Sequence, residues 1–192
     1  FSQDGLRVVT TCFDGSARIW NPANGRAVAP PLKHGNAVND AAFSPDGRRV
    51  ATVSSDKTAR IWNVQTGVAL SPPLQHGDEV SQVSFSPDGS LFLTVSGKVV
   101  RLWDAVSGEL ITASLKHNGL IRQASFSPDS RRVVTASDDG TARVWNLSPL
   151  EYSLKDLEQL VHLVANRRLD VTGGLVPLDS ETSYTSLDKA WK

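Results

Sequence analysis

Short segments of alternating or β-branched apolar residues recur along the first three quarters of the chain, separated by turns rich in Gly, Pro, Asp and Ser. One such segment is residues 48–54, which lies between the turn sequence Ser-Pro-Asp-Gly at 44–47 and a polar turn leading into residues 58–62. Segments of this length and composition predict β-strands joined by tight turns. We expect four short strands in each unit, which together form one small antiparallel sheet.

The pattern repeats with a period of 41 or 42 residues. The markers of the period are Trp20, Trp62, Trp103 and Trp145, His34, His76 and His117, and Phe1, Phe43, Phe85 and Phe126, each of which begins a Phe-Ser segment. Three unlike markers with one period indicate a repeat fold. Because a single small sheet cannot bury both of its faces, successive units are expected to stack on one another.

Composition adds few constraints. Twenty basic and twenty acidic residues cancel, so charge gives no reason to expect a nucleic acid or a membrane as partner. The single cysteine, Cys12, excludes an internal disulfide bond. The sequence contains no methionine and begins within a repeat unit, so we expect it to be a fragment of a longer protein.

The layout His…Phe-Ser-Pro-Asp-Gly…Ser-x-Asp-x-Thr-x-x-x-Trp resembles the WD40 repeat, which forms one blade of a β-propeller. The resemblance covers residues 1–147 and implies an all-β, WD40-type β-propeller segment of four blade units. The first unit is expected to lack its innermost strand, whereas the units at 38–74 and 80–115 are complete. The fourth unit is expected to lack its outermost strand, so the first and last blades are incomplete.

The resemblance also implies a hydrogen-bonded structural tetrad in each blade, made of a His, a Ser or Thr, an Asp and the Trp. By position its members are His34, Ser54, Asp56 and Trp62 in the second unit, His76, Ser96 and Trp103 in the third, His117, Ser137, Asp139 and Trp145 in the fourth, and Asp14 and Trp20 in the first. Cys12 occupies the Ser position of the first unit.

The third unit departs from this pattern, because its turn is one residue shorter and Gly97 stands where the tetrad acid is expected. We therefore expect His76 to lack a carboxylate partner and the third blade to be the weakest of the complete ones. A shortened loop could instead open a groove with a function.

Residues 148–192 form a second segment. The apolar stripe Leu157, Leu160, Val161 and Val164 predicts a loop and then an amphipathic helix within 148–169, which residues 172–177 end. The helix is expected either to pack on the last blade or to bind a partner. This tail is similar to the C-terminal segments of large bacterial WD-repeat proteins that often carry a protein kinase domain. We expect a cytoplasmic location.

The sequence shows no catalytic set, phosphate-binding loop or metal-ligand cluster, so we expect a non-enzymatic protein without metal or cofactor. The resemblance implies a scaffold that binds other proteins or peptides on the loop face, formed by residues 35–38, 77–80 and 118–121 and by the turns 55–57, 97–98 and 138–140. Candidate contacts on this face are Asn36, Asn39, Lys57, Asp78, Glu79, Ser81, Lys98, Asn118, Arg122 and Asp138. Two alternatives are a regulatory or targeting domain of a bacterial serine/threonine kinase-type signalling protein, and self-association of the fragment.

Overall fold

Four small antiparallel sheets follow one another along the chain, and each corresponds to one unit of the sequence repeat. The computed structural model describes residues 1–111, 114–147, 167–169 and 175–177. Within these residues all of the named elements are β-strands, which confirms the all-β class. The chain divides into two units, residues 1–147 and 148–192.

Blade 1 has no strand corresponding to the innermost strand of the other blades within residues 1–33, as the sequence predicts. Its strands are β1 (Val8–Thr11), β2 (Ser16–Asn21), β3 (Arg26–Ala27) and β4 (Leu32–Lys33). The central strand β2 pairs with β1 on one side and with the two short pieces β3 and β4 on the other. The outer strand of this blade is therefore split in two.

Blades 2 and 3 are complete four-stranded sheets, in which the strands lie in chain order from the innermost to the outermost. Blade 2 consists of β5 (Val38–Phe43), β6 (Arg49–Ser54), β7 (Thr58–Asn63) and β8 (Leu74–Gln75), and blade 3 of β9 (Val80–Phe85), β10 (Leu91–Ser96), β11 (Val99–Asp104) and β12 (Leu115–Lys116). The outer strands β8 and β12 are only two residues long, so two residue pairs join each to its blade.

Blade 4 contains three described strands, and the residues that would form an outermost strand lie outside the described part of the chain. The three strands are β13 (Ile121–Phe126), β14 (Arg132–Ser137) and β15 (Ala142–Asn146), in that order. Within the described part of the chain, no strand pairs with the outer edge of β15.

The hydrophobic core lies between the blades. One cluster joins Ala17, Ile19 and Leu32 of blade 1 to Val38, Val50, Trp62 and Val64 of blade 2. A second joins Ala51, Val53, Ala59, Ile61 and Leu74 of blade 2 to Val80, Val83, Phe85, Phe92, Trp103 and Ala105 of blade 3, and a third joins Leu93, Val95, Val100 and Leu102 of blade 3 to Ile121, Ala124 and Val133 of blade 4. Each inner blade thus buries one face against each neighbour, as the stacking argument requires.

Polar side chains at one position of the innermost strands also link neighbouring blades. Gln82 accepts a hydrogen bond from the Ala124 amide and donates one to the Ala124 carbonyl, both at 3.0 Å. One blade earlier, the Asp40 carboxylate accepts from the Val83 amide at 3.0 Å. A glutamine can serve both groups of a neighbouring peptide, whereas an ionised aspartate can only accept.

The predicted C-terminal helix lies almost entirely outside the described residues. Its last three residues do not continue a helix, because β16 (Arg167–Leu169) pairs antiparallel with β17 (Leu175–Pro177). Residues 167–169, the end of the segment predicted to be a loop and a helix, are therefore a strand; of residues 172–177, which were predicted to end the helix, 175–177 form the strand that pairs with it.

Candidate protein-interaction face

A chain of hydrogen bonds in blade 2 holds together the loop that enters the blade and the turn between β6 and β7. The Trp62 indole N–H donates to the Thr52 hydroxyl at 2.7 Å, and this hydroxyl also lies 2.7 Å from Nε2 of His34. An indole can only donate, so Thr52 accepts from Trp62. Burial lowers the pKa of His34, and in its neutral ring the hydrogen lies on the nitrogen facing the Asp56 carboxylate, which can only accept, so Nε2 accepts the hydrogen of Thr52. The other ring nitrogen, Nδ1, then carries a hydrogen and donates it to the Asp56 carboxylate at 3.0 Å.

Blade 4 repeats this arrangement. The Trp145 indole donates to Thr135 at 2.9 Å, Thr135 lies 2.7 Å from Nε2 of His117, and Nδ1 of His117 lies 2.9 Å from the Asp139 carboxylate. In both blades the carboxylate also accepts from the backbone amide that follows the histidine. The acid therefore fixes both the imidazole ring and the loop that carries it.

The hydroxyl member of the tetrad was wrongly assigned from the sequence. The structure places Thr52, Thr94 and Thr135 in contact with Trp62, Trp103 and Trp145, where the sequence interpretation had chosen Ser54, Ser96 and Ser137. Val50 lies directly opposite Trp62 in the sheet, so Thr52 is one step further on the same face. Ser54 is four residues from Val50, about 13 Å along the strand, which is beyond the reach of the indole nitrogen.

The three serines have a different role, at the end of the strand. Ser54 donates to the Asn36 carbonyl at 3.0 Å and accepts from the Asp56 amide at 3.0 Å. Ser96 donates in the same way to the Asp78 carbonyl, and Ser137 accepts from the Asp139 amide. These serines shape the turn and the incoming loop without contacting the tryptophan.

Blade 3 keeps three of the four tetrad groups and replaces the contact of the fourth. Thr94 accepts from Trp103 at 2.9 Å and lies 2.9 Å from Nε2 of His76. Nδ1 of His76 lies 3.0 Å from the backbone carbonyl of Leu74, which takes the place of the carboxylate. This confirms the expectation that His76 has no carboxylate partner in its blade.

Blade 1 retains part of the arrangement. Trp20 donates to Thr10 at 2.9 Å, so Thr10 occupies the tetrad position that the sequence interpretation had given to Cys12. Asp14 accepts hydrogen bonds from the amide and the hydroxyl of Ser16 and pairs with Arg18 at 3.1 Å. Here the aspartate stabilises its own turn through these contacts.

The tetrads change the ionisation of their members. Burial by itself would raise the pKa of Asp56, but hydrogen bonds from the Thr58 hydroxyl, the Gly35 amide and His34 lower it to about 2. The Thr141 hydroxyl and His117, working against burial, hold the pKa of Asp139 well below its usual range. Burial, assisted by the Arg101 charge, lowers the pKa of His76 to about 4.

The tetrad histidines also join each blade to the preceding one. The backbone amide of His34 donates to the Gly15 carbonyl in blade 1, that of His76 to Lys57 in blade 2 and that of His117 to Lys98 in blade 3. Each histidine therefore follows the outer strand of one blade and inserts its ring into the next. The loop face is built on these anchored segments.

All ten candidate contacts of the loop face are exposed in the structure. They are Asn36, Asn39, Lys57, Asp78, Glu79, Ser81, Lys98, Asn118, Arg122 and Asp138. By contrast, the hydroxyl groups and rings that hold the loops recur from blade to blade and are mostly buried. The same scaffold thus presents different side chains in each blade.

Two candidate residues, Asn39 and Glu79, are joined through Ser55 across the boundary between blades 2 and 3. Asn39 donates to the Ser55 hydroxyl at 3.1 Å and to the Val80 carbonyl at 2.8 Å, and Ser55 donates to Glu79 at 3.0 Å. Ser55 was not among the candidates. These contacts bring Asn39 and Glu79 together and order this part of the loop face.

Blade 4 contributes an exposed ion pair to the face. Arg122 Nε donates to the Asp138 carboxylate at 2.7 Å, and a second guanidinium nitrogen completes a bidentate contact. The hydrogen bond and charge of each partner lower the pKa of Asp138 and raise that of Arg122. At the equivalent position of blade 3, Ser81 instead lies 3.3 Å from the Val95 carbonyl.

Phe13 is a residue of this face that the sequence interpretation missed. It lies in the turn between β1 and β2, at the position that Ser55 and Asp138 occupy in their blades, and it is 91% exposed. Its position in the repeat could have identified it, because aligning the turns places a bulky aromatic residue at a loop-face site. Thr10, Thr52, Thr94 and Thr135 could have been found in the same way, since they share the 41–42-residue period.

The described residues contain no group of three or more His, Cys, Asp or Glu side chains placed to hold a metal ion. Among the same residues, no helix is long and apolar enough to cross a membrane. On the loop face, the groups available for binding are the polar and charged side chains described above and the ring of Phe13.

Comparison with known proteins agrees with the repeat and the fold. The family model described as WD40, "WD domain, G-beta repeat", matches residues 1–21, 31–63, 70–104 and 109–146. No curated protein sequence matches the chain. Among solved structures, the chain is similar to the computationally designed Ika4 protein, with a TM-score of 0.69 and 23% identity over 77% of this chain and 88% of that one. At this identity the likeness shows the fold alone.

Proposed function

Since this chain belongs to the WD40 repeat family, whose repeats generally mediate contacts between proteins, we propose that it is a non-enzymatic module that binds a partner protein through its loop face. The family is typically non-catalytic. The observation that carries the proposal is the exposure of Phe13 on the same face as ten exposed polar and charged residues.

An exposed aromatic side chain within a polar surround has the composition of a protein-binding site. Aromatic residues are enriched at the centres of protein interfaces, where they supply a large apolar area at a low cost in side-chain entropy. The ordered contacts among Asn39, Ser55 and Glu79 reduce the entropy that binding would cost on the neighbouring loops. Phe13 is thus the proposed anchor, and the polar residues determine which partner fits.

The experiment compares two exposed phenylalanines at opposite ends of the strands. Phe13 lies in the loop face, whereas Phe1, which is 84% exposed, lies beside the Phe-Ser-Pro segments 43–45 and 85–87 at the other end. The full chain, F13A and F1A would be immobilised and exposed to an extract of the source cells, and the bound proteins quantified by mass spectrometry. Any captured protein would then be purified, and its affinity for each form measured.

The proposal requires a captured protein whose affinity falls at least about tenfold in F13A and stays unchanged in F1A. A second pair of variants tests the contribution of charge. One is the double variant K57E/K98E on the loop face, and its control is the double variant R48E/R131E in turns at the opposite end of the strands. The loop face would be refuted as the binding site if the captured protein bound F13A and F1A with equal affinity and also bound K57E/K98E and R48E/R131E with equal affinity.

A further inference from the structure

Two asparagines of the chain are followed directly by glycine, in the pairs Asn24–Gly25 and Asn118–Gly119. Such a pair can modify itself, because glycine has no side chain to keep its backbone nitrogen away from the asparagine side chain. The glycine nitrogen bonds to Cγ of the asparagine, and the side-chain nitrogen leaves as ammonia with the hydrogen of the glycine nitrogen. The resulting succinimide ring is opened by water at either carbonyl carbon, which gives aspartate or isoaspartate without any oxidant or reductant.

The fold holds the first of these pairs in a hydrogen-bonded turn. Oδ1 of Asn24 accepts from the Arg26 amide at 3.0 Å. The Gly25 nitrogen donates to the Asn21 carbonyl at 2.9 Å. Both groups that would have to react are therefore engaged, and the turn has to open before Asn24 can be converted.

The reacting groups of the second pair are not engaged in this way. Within the described part of the chain, neither the Asn118 side chain nor the Gly119 nitrogen makes a hydrogen bond. Asn118 is exposed, so water and base reach its side chain. The loop is fixed on either side of the pair, where the Asn118 amide donates to Asp139 at 3.0 Å and the Leu120 carbonyl accepts from the Asp138 amide at 2.9 Å. The bonds that rotate to close the ring lie between these two fixed points.

The packing of the loop on its turn requires the glycine of this pair. The loops entering blades 2 and 3 have glycine first and a polar residue second, Gly35–Asn36 and Gly77–Asp78, whereas the loop entering blade 4 has the reverse order. A Cβ added to Gly119 would lie 2.5 Å from the backbone nitrogen of Asp139, so a residue with a side chain does not fit there. The close contact with the turn thus keeps a reactive order of residues in blade 4.

We propose that Asn118 is a self-modification site of the folded chain, which converts to aspartate and isoaspartate while the turn protects Asn24. In isoaspartate the backbone runs through Cβ and Cγ, so the path between the two fixed points becomes one atom longer. The contacts at these points then no longer fit one another. Conversion therefore loosens the loop that carries His117, whose ring the Asp139 carboxylate binds at 2.9 Å.

Both products also change the charge of the loop face. A carboxylate at position 118 stands close to Asp139, which binds the amide of the same residue, and to Asp138, which already pairs with Arg122. Like charges at this separation repel each other. The modification is a property of the chain itself and does not depend on the partner proposed above.

The test follows both pairs in the full chain, incubated folded and, in parallel, unfolded in urea, in the same mildly alkaline buffer. Peptide mass spectrometry measures the fraction of each asparagine that has been converted, and fragmentation distinguishes aspartate from isoaspartate. In the folded chain we expect Asn118 to react at least about tenfold faster than Asn24, because two hydrogen bonds hold the turn of Asn24 closed. In urea this difference should largely disappear, since the turn is lost.

N118Q is the control for the effect on the fold. Its side chain is one carbon longer and would have to close a six-membered ring, which forms more slowly. Wild type should melt at a lower temperature after incubation than before it, whereas the melting temperature of N118Q should stay the same.

Three outcomes overturn the proposal. The fold does not expose a reactive pair if Asn118 reacts no faster than Asn24 in the folded chain. If the same difference in rate persists in urea, the neighbouring residues and not the fold determine it. If wild type melts at an unchanged temperature after most of Asn118 has been converted, the modification does not loosen the loop that carries His117.

Discussion

Blades 2 and 3 have the same four strands in the same order, but their tetrads differ at the acid. In blade 2, Asp56 binds His34, the Gly35 amide and the Thr58 hydroxyl. In blade 3 the turn is one residue shorter, Val99 stands at the position of Thr58, and the imidazole of His76 turns to the Leu74 carbonyl. Both histidines nevertheless keep their contact with a threonine that also binds the tryptophan.

This difference separates two roles within the tetrad. The threonine, the indole and the imidazole form one buried unit that both blades share, which indicates that it maintains the packing of the sheet. The carboxylate fixes the incoming loop and supplies a negative charge beside the ring. Blade 3 forms without the carboxylate, but its histidine is then buried with no opposite charge to stabilise its protonated form.

Removing the shared threonine hydroxyl should lower the free energy of unfolding more than any other change considered below, and by the same amount in blades 2 and 3. T52V and T94V each leave a buried indole N–H and an imidazole nitrogen without a partner, so we expect the free energy of unfolding to fall by about 2–4 kcal/mol. Urea denaturation measures it. T10V is the control, because Thr10 and its tryptophan in blade 1 are more exposed. A large effect in only one of the two blades would contradict the idea of a shared unit.

Acid should destabilise blade 3 through His76; burial also lowers the pKa of His34 in blade 2, but the charge of Asp56 opposes that shift. An unfolded histidine titrates near pH 6.5, whereas the pKa of His76 in the folded chain is about 4. Below pH 6.5 the unfolded chain therefore binds a proton that the folded chain does not. The contribution of neutral His76 is complete above pH 6.5 and falls by about 2–3 kcal/mol as the pH approaches 4.

The measurement compares the pH dependence of unfolding in wild type and in H76Q, since the remaining groups titrate alike in both. The stability difference between them should shrink in acid. If the two curves stay parallel between pH 7 and 4.5, the histidine of blade 3 is not the titrating group.

Removing the acid should be less costly than removing the threonine. D56A removes the carboxylate acceptor of Nδ1 of His34, which keeps only the Thr58 hydroxyl at 3.2 Å, and it leaves the Gly35 amide without this partner. We expect the free energy of unfolding to fall by about 1–3 kcal/mol. D139A should change stability in the same direction. G97A loses no tetrad contact, but Gly97 has a φ of 57°, so an alanine there is expected to cost about 1 kcal/mol in backbone strain.

Melting temperatures of D56A, D139A and G97A show whether the tetrad acid matters more than the glycine that replaces it in blade 3. Equal shifts in D56A, D139A and G97A, together with an unchanged His34 titration in D56A, would show that the acid has no special role in the tetrad.

The smallest change in stability is expected for variants of Asp40 and Gln82, whose side chains link the innermost strands of neighbouring blades. Asp40 is a partly buried carboxylate whose pKa burial raises, and it makes one hydrogen bond to blade 3 where Gln82 makes two to blade 4. D40N removes the charge and adds a donor, so at pH 7 we expect a gain of up to about 1 kcal/mol. Q82E should do the reverse. A loss of stability in D40N would show that the charge itself is needed.

The repeat period allowed the blades to be placed from the sequence alone, because aromatic and turn residues mark each sheet at the same point. The same period did not identify the tetrad hydroxyl. Thr52 and Ser54 lie on the same face of one strand, and only the pairing of Val50 with Trp62 shows which of them the indole can reach. The sequence also did not reveal that the imidazole of His76 contacts the Leu74 carbonyl, because the sequence does not specify the path of the shortened turn.

The loop face stays a prediction as a binding site, and two residues at its positions were not named as candidates. Its ten candidate residues were chosen because they differ between blades, and all are exposed. Ser55 was included only as part of the turn 55–57 and not as a candidate contact, and Phe13 was not considered. Exposure is a property of three-dimensional position, which composition cannot reveal when an apolar residue stands at a polar position of the repeat.

The two-residue outer strands, with a histidine directly after them, have a consequence for a chain under mechanical load. Tension would first peel β4, β8 and β12 from their blades, since two residue pairs hold each of them. Peeling would then meet His34, His76 or His117, whose rings are held inside the following blade. Force would therefore rise in steps, one for each histidine, and the step at His76 would be the lowest because no carboxylate holds its ring.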